Sequence, residues 1–363
     1  MQVLIKLDFQ GGRLHFGGYD QGLSTDGATP NLLADTFFSA ICHGWSCLYG
    51  TESLVSDFLE GFISGKPPFL LSDLFPYKGE KVLFPKPKLP FRERRIEKCD
   101  EDNTPDKKKL KKISEGFRNA PKNCCDNTPD KKKLKKIPFL SAENLKLFLQ
   151  GDDLNLNSPE VNTAAIWQIE YYPQVSISRE GNPPDPYSVV YLSYAKDAGL
   201  WGLIEFRDTS FAPLIRQVIE FLGEESGIGG KRSTGAGRFK LFWQENPSTL
   251  DQIFEGWKRI NSLSDSQSFQ LLLSLTNAKD SQEAAIIKES TYELVTRKGF
   301  LYSADPDWGE PVKKRAVCMI QAGSVLSAPI QGRLVDVTPT LKSRTPPHKI
   351  YRYGYALTKE VKV

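Results

Sequence analysis

Apolar and polar residues alternate over residues 3–9 (VLIKLDF), the two-residue period of a half-buried β-strand. A Gly-rich turn separates this stretch from a second extended piece, 14–17 (LHFG). In residues 31–50 (NLLADTFFSAICHGWSCLYG) the apolar positions fall at helical spacing instead, with Asn31 placed to cap the N-terminus. Prolines punctuate 71–91 (LSDLFPYKGEKVLFPKPKLPF) and exclude a regular helix there. Residues 175–180 (VSISRE) and 187–194 (YSVVYLSY) flank a Gly-Asn-Pro-Pro turn and predict a long hairpin. A strand over 200–208, an amphipathic helix over 213–225 and a closing strand over 237–243 follow. The order β-α-β-β-α-β, with insertions, is the ferredoxin-like pattern of an α+β fold. The remainder is strand-dominated and short of obvious helices, with extended runs beginning at 269–278 and ending at 350–361. A divergent second copy of the same unit is therefore expected, giving domains over 1–245 and 246–363 with the linker near 245–266.

A perfect repeat interrupts the first half. DNTPDKKKLKKI occurs at 102–113 and again at 126–137, a period of 24 residues. Two copies are too few for a solenoid. Removing 114–137 would join Ile113 to PFLSAENLKLFL without disturbing the flanks, so a tandem duplication inside a basic surface insertion, 93–137, is the simplest account. Residues 102–137 hold twelve Lys/Arg against five Asp/Glu, so the net charge of +4 leaves −3 for the rest of the chain. Global charge thus gives no argument for nucleic acid, and local patches must carry one. A run of this kind reads first as a solvated loop, and second as lysines reaching RNA phosphates.

The chain has 363 residues, enough for two cores, and its 39% hydrophobic and 25% charged residues are ordinary for a globular protein. No run approaches the ~20 apolar residues of a membrane span. The opening MQVLIKLDFQGG has no apolar signal region, so a cytoplasmic protein is expected. The six cysteines contain no CxxC pair and read as reduced thiols. Cys42, His43 and Cys47 form the one tempting metal cluster, but Cys42 and Cys47 do not share a helix face.

The most informative segment is 227–240, GIGGKRSTGAGRFK, which sets five glycines among Lys231, Arg232, Ser233, Thr234, Arg238 and Lys240 with no acidic residue. It is no P-loop, because Arg232 stands where Gly-Lys would be followed by Ser/Thr, and it follows a helix where a dinucleotide fingerprint follows a strand. Glycines let a backbone approach an anion and aim N–H groups at it, while the cations neutralise phosphates. Phosphate binding is the reading that accounts for both. A second patch joins Lys342, Arg344, His348, Lys349 and Arg352 to Tyr351, Tyr353 and Tyr355. It fits a single-stranded nucleic acid and a packed sheet face equally well.

Catalysis has little support. The only histidines are His15, His43 and His348, and neither HExxH nor GxSxG occurs. His15, beside Phe16, is the one candidate base for a metal-independent ribonuclease, and a structural or RNA-contacting role is the simpler reading.

A Gly-rich loop between the last helix and last strand of a ferredoxin-like domain resembles that of the repeat-associated (RAMP) CRISPR proteins. LHFG, DTFFSAICHGW, SDLFPY–FPKP, VSISRE with its hairpin, AGSVL and IYRYGYAL together resemble the fourth subunit of the type III-A Csm complex. The resemblance covers nearly the whole chain except about 93–137, where the duplicated insertion departs from the family pattern. It implies two ferredoxin-like (RRM-like) domains with a β-hairpin thumb, and a non-catalytic subunit without cofactors. That subunit would bind the 5′ repeat-derived handle of crRNA and dock the large polymerase/cyclase subunit and the backbone subunit, meeting target RNA only indirectly. Carried onto this chain, the resemblance implies that Gly229, Gly230, Lys231, Arg232, Ser233, Thr234, Gly235, Gly237 and Arg238 hold handle phosphates. Arg179 would touch the backbone beside the hairpin turn, and His15 and Phe16 would contact a base. A crRNA-processing endoribonuclease with His15 as base, and the equivalent type III-B subunit, are the alternatives.

Overall fold

The computed structural model describes residues 1–17, 28–89, 137–150, 163–177, 183–248, 268–301, 312–339 and 348–362, with Asp152, Leu154, Asn155, Ser158 and Glu160. Arg179, Lys342, Arg344 and all of the duplicated stretch except Ile137 lie outside the described residues.

Strand β1 (Gln2–Asp8) buries Val3, Leu4, Ile5 and Leu7 because it lies inside a sheet. Its neighbours are β9 (Ala198–Phe206) and β10 (Lys240–Glu245), both antiparallel. β9 then pairs with β3 (Phe69–Leu71) and β4 (Phe75–Lys78), and β4 leads through β5 (Lys81–Pro85) to β6 (Phe139–Ser141). The resulting order is β10-β1-β9-β4-β5-β6, with β3 also on β9. Two helices cross this sheet and pack on each other: α1 (Ala34–Tyr49), burying Phe37, Phe38, Ile41 and Trp45, and α3 (Phe211–Phe221), burying Ala212, Ile215, Val218 and Ile219. Between them in sequence, α2 (Ala142–Gln150) follows β6 without a break.

The α1 start differs from the sequence expectation. Asn31 is buried outside the helix, and Leu33 at the cap position makes no side-chain bond. The helix is capped from afar: Asp73 Oδ1 accepts the Ala34 N–H at 2.8 Å and also the Leu275 N–H at 2.9 Å. Burial pushes the Asp73 carboxyl up to about 7, against the pull of these two donors. One oxygen thereby ties the first half of the chain to the second.

The second half contains β11 (Ser268–Leu272), flanked by β14 (Val325–Leu326) and β17 (Thr358–Lys362), both antiparallel. β12 (Leu294–Arg297) pairs with β13 (Val317–Ile320), and β15 (Val335–Asp336) with β16 (Tyr351–Arg352). It also holds a helix that the apolar period does not reveal, α4 (Ser281–Lys288), whose only buried residue is Ile287. Asp280 caps it by accepting the Gln282 and Glu283 N–H groups at 2.9 and 3.0 Å.

The two halves share apolar packing. Tyr353 and Tyr355, fully buried, reach an aromatic cluster of the first half: Tyr353 lies 5.0 Å from Phe38, and Tyr355 6.0 Å from Phe62. Tyr353 Oη accepts the Leu71 N–H at 2.8 Å, and Tyr355 Oη donates to the Phe62 carbonyl. Of the two readings of the tyrosine-rich patch, the packed face is therefore the correct one for these residues. Arg352 is buried as well, bonded to the Asp35 carboxylate.

The hairpin forms with a shifted register. β7 (Trp167–Ser176) and β8 (Asp185–Tyr194) are paired from Trp167↔Tyr194 to Ser176↔Asp185, so the first arm begins eight residues before the expected Val175. Pro173 inside WQIEYYPQVS hides the strand from pattern reading, because proline normally argues against a strand interior. Ile169, Tyr171, Val175 and Ile177 occupy alternate positions on one face and are exposed. Among the described residues, no helix is long and apolar enough to cross a membrane.

Candidate nucleic-acid interface

Strand β2 (Arg13–Leu14) pairs with β8 and carries the chain into His15–Gly17, which lie against the Gly-rich loop. The glycines work by close approach. The Gly230 N–H donates to the His15 carbonyl and the Gly237 N–H to the Arg13 carbonyl, each at 2.9 Å. Gly227 donates to Leu222 and Gly235 to Arg232, so these four N–H groups serve the protein's own structure instead of facing an anion. Gly237 has φ +86°, and a Cβ there would sit 2.1 Å from the Ile228 carbonyl oxygen. Gly235 has nearly the same φ, +85°, with open space around it. Gly237→Ala is therefore expected to destabilise the fold by at least about 3 kcal/mol, and Gly235→Ala by only about 1–2 kcal/mol, as read by denaturant unfolding. Equal losses at the two sites would show that backbone conformation alone sets the cost.

The loop presents its charges on two sides. Arg232 faces inward and donates to Ser226 Oγ at 2.9 Å. Lys231, in the left-handed region at φ +59°, opens a short 3-10 turn over Arg232–Thr234 in which Ser233 and Thr234 are exposed. Arg238 is exposed. Among the described residues, no carboxylate pairs with Lys231 or Arg238.

Behind the loop is a cavity of about 700 Å³. His15, Phe16, Gly229, Gly230 and Arg232 form one wall, and Thr36, Ser39, His43 and Ser46 of α1 form another. Arg297, Lys298, Lys314 and His348 of the second half close it. All three histidines and four Lys/Arg side chains line the space, and no carboxylate does, among the described residues. Such a lining favours a polyanion. His15 Nδ1 lies 2.8 Å from the Val190 carbonyl, which can only accept, so Nδ1 carries the proton. Burial lowers the His43 pKa, and the nearby Arg232 lowers it further. Phe16 is 4% exposed and packs edge-on against Phe9, leaving little ring face for a base.

Pattern reading missed three parts of this site. Arg13 lies 4.1 Å over the Tyr172 ring and donates to its hydroxyl at 2.6 Å, joining the loop's docking strand to the hairpin base. Arg297 and Lys314 stand in runs (TRKG, VKKR) whose basic residues were visible, but nothing local placed them opposite the loop. Of Cys42, His43 and Cys47, His43 Nε2 lies 3.9 Å from Cys47 Sγ, and no group of three His, Cys, Asp or Glu side chains placed to hold a metal occurs among the described residues.

Residues 14–240 match the family model of the RAMP superfamily, and residues 265–361 that of the CRISPR Csm4 C-terminal domain. A Mycobacterium tuberculosis protein named CRISPR system Cms protein Csm4 is 30% identical over 354 residues, covering 98% of this chain and 96% of its own. A Streptococcus thermophilus protein of the same name is 25% identical over 345 residues, 94% of each chain. Among solved structures, a chain of the Csm3–Csm4 subcomplex in the type III-A CRISPR-Cas interference complex superposes with a TM-score of 0.57 at 18% identity, covering 99% of both. A chain of a Csm1–Csm4 cassette in complex with cA4 gives 0.50 at 15% identity, covering 99% of this chain and 96% of the other. With two family models and a full-length relative in agreement, the chain belongs to the Csm4 family of the RAMP superfamily.

Proposed function

We propose that this chain is the non-catalytic subunit of a type III-A CRISPR effector that caps the 5′ handle of crRNA and docks the large polymerase/cyclase subunit and the backbone RAMP subunit. The observation that carries the reading is the cation-lined cavity beneath the Gly-rich loop, which no carboxylate lines among the described residues. Handle phosphates lie along Lys231, Arg232 and Arg238, with Ser233 and Thr234 beside them, and His15 and Phe16 border the base-facing wall. The exposed apolar face of the hairpin, with Arg179 near its turn, is the thumb that wedges where handle meets spacer. The solved subcomplexes of Csm4 with Csm3 and with Csm1 support the choice of partners.

The architecture we propose is two ferredoxin-like domains, 1–245 and 246–363. The order β10-β1-β9-β4, with α1 after β1 and α3 after β9, supports it for the first, and β14-β11-β17 with α4 after β11 for the second.

The test is to incubate the purified chain with labelled repeat RNA in EDTA and score both cleavage and retention. Intact RNA is expected to be retained, more strongly with a free 5′ handle. Specific cleavage that disappears in His15→Ala would instead make the chain a processing endoribonuclease. Retention that ignores the handle sequence would reduce it to a general single-strand binder.

A further inference from the structure

The cavity wall supplied by the second half carries more positive charge than the one buried carboxylate bonded to its arginines, Asp35 of α1, neutralises. Asp35, 4% exposed, lies between two guanidiniums: Arg297 donates to it at 3.0 and 3.2 Å, and Arg352 also donates to it. One carboxylate thus serves two arginines. Lys314 lies close enough to both arginines for their charge to act on it, and it borders the cavity. Among the described residues it has no ion-pair partner. Lys298 borders the cavity beside it. Arg352 Nε is buried with no acceptor among the described residues.

Burying unneutralised cations costs free energy, because water no longer solvates them. A structural role for Lys314 would have called for a carboxylate paired with it. Among the described residues none lines the cavity, and Asp35, the acidic group whose charge reaches Lys314, is already shared by two arginines. Burial lowers the Lys314 pKa, and Arg352 and Arg297 lower it further against the opposing pull of Asp35, so the side chain is held in an environment that a further anion would relieve. Arg232 lines the same cavity from the loop wall.

We infer that Arg297, Lys298 and Lys314 form a second oxoanion site, which grips one RNA phosphate from the side opposite the Gly-rich loop. This rests on the reading of the cavity as an RNA site. Asp35 acts as a positioning residue that aims Arg297. The phosphate is therefore clamped between two segments far apart in sequence, and the second half is a binding element in its own right.

The test uses the full chain with Lys314→Met, which keeps the apolar stem and removes the charge. Three readouts are expected to move together. Handle-RNA affinity falls about tenfold, and the slope of log affinity against log salt falls by about 0.7, the value for one phosphate contact on a single strand. The melting temperature without ligand stays level or rises, because a desolvated charge has gone. Finally, the stabilisation that inorganic phosphate gives the wild-type chain, relative to chloride at equal ionic strength, disappears. A purely structural lysine would give the reverse: a lower melting temperature with RNA affinity unchanged, and that result overturns the site. If Lys314→Met binds RNA normally while neutralising Lys231, Arg232 and Arg238 abolishes binding, the capping role stands and the second site fails. If the wild-type chain retains no RNA at all, the capping role fails, and the absence of any phosphate-specific stabilisation would remove the second site with it.

Discussion

Asp35→Ala is expected to destabilise the chain by about 3–5 kcal/mol. The carboxylate is buried and holds Arg297 and Arg352, residues 262 and 317 positions away in sequence. Removing it leaves two guanidiniums in a low-dielectric interior with no counter-charge, and a loss of that size is a large share of the ~5–15 kcal/mol that holds a typical domain folded. Replacing all three residues together, by Asp35→Leu, Arg297→Met and Arg352→Met, should recover most of the stability, because it removes the desolvated charges as a set. The pH dependence follows from the sign of the shift. Burial pushes the Asp35 carboxyl up, but the two arginines outweigh that and hold it below the ordinary carboxylate value. Its contribution is therefore complete above that ordinary value and is lost as pH falls through the lower folded-state value. Urea midpoints across pH 2–6 for wild type and the triple variant would show this: if the wild-type curve is no steeper than the variant's, the cluster does not stabilise the fold.

Neutralising Lys231, Arg232 and Arg238 together should weaken crRNA binding by one to two orders of magnitude, roughly, and flatten the salt dependence by about two units of slope. The loss should be nearly uniform across sequences, since contacts to phosphate carry no base information. Lys231 and Arg238 make no ion pair with a described carboxylate, so their removal should leave the melting temperature unchanged. Arg232 gives up its hydrogen bond to Ser226, so Arg232→Lys serves as the control that keeps charge while losing the fork geometry. Unaltered assembly with crRNA in the triple variant would remove the loop from the binding site.

The loop, the second hairpin arm, β1, α1, β9, α3 and β10 were legible in the sequence because each is written locally. Glycine spacing marks 227–237, turn residues mark 181–184, and changes of period mark the strands and α1. Other features were not, for identifiable reasons. The α1 cap is Asp73, 39 residues on, where no local capping signal exists. Pro173 masks most of one hairpin arm, and α4 shows no apolar stripe because it buries only Ile287. The tyrosine-and-arginine run at 351–355 could mean a binding face or a core, and only the aromatic cluster of Phe38 and Phe62 decides for the core. The opposite wall of the cavity was invisible because Arg297 and Lys314 are placed by tertiary contacts, and the charge count alone pointed elsewhere, to the lysine repeat.

The insertion of Tyr353 and Tyr355 among Phe38, Phe62 and Leu71 has a consequence for biosynthesis. As the polypeptide leaves the ribosome, its first 245 residues emerge with an aromatic pocket that nothing yet fills, and that surface stays open until the residues that plug it have been made. Transiently exposed apolar surface of this kind favours aggregation and is what chaperones cover. Arg297, Lys298 and Lys314 also arrive late, so a fragment released early from translation has only part of the cavity. The cavity is therefore complete only in a chain that has also closed its own core.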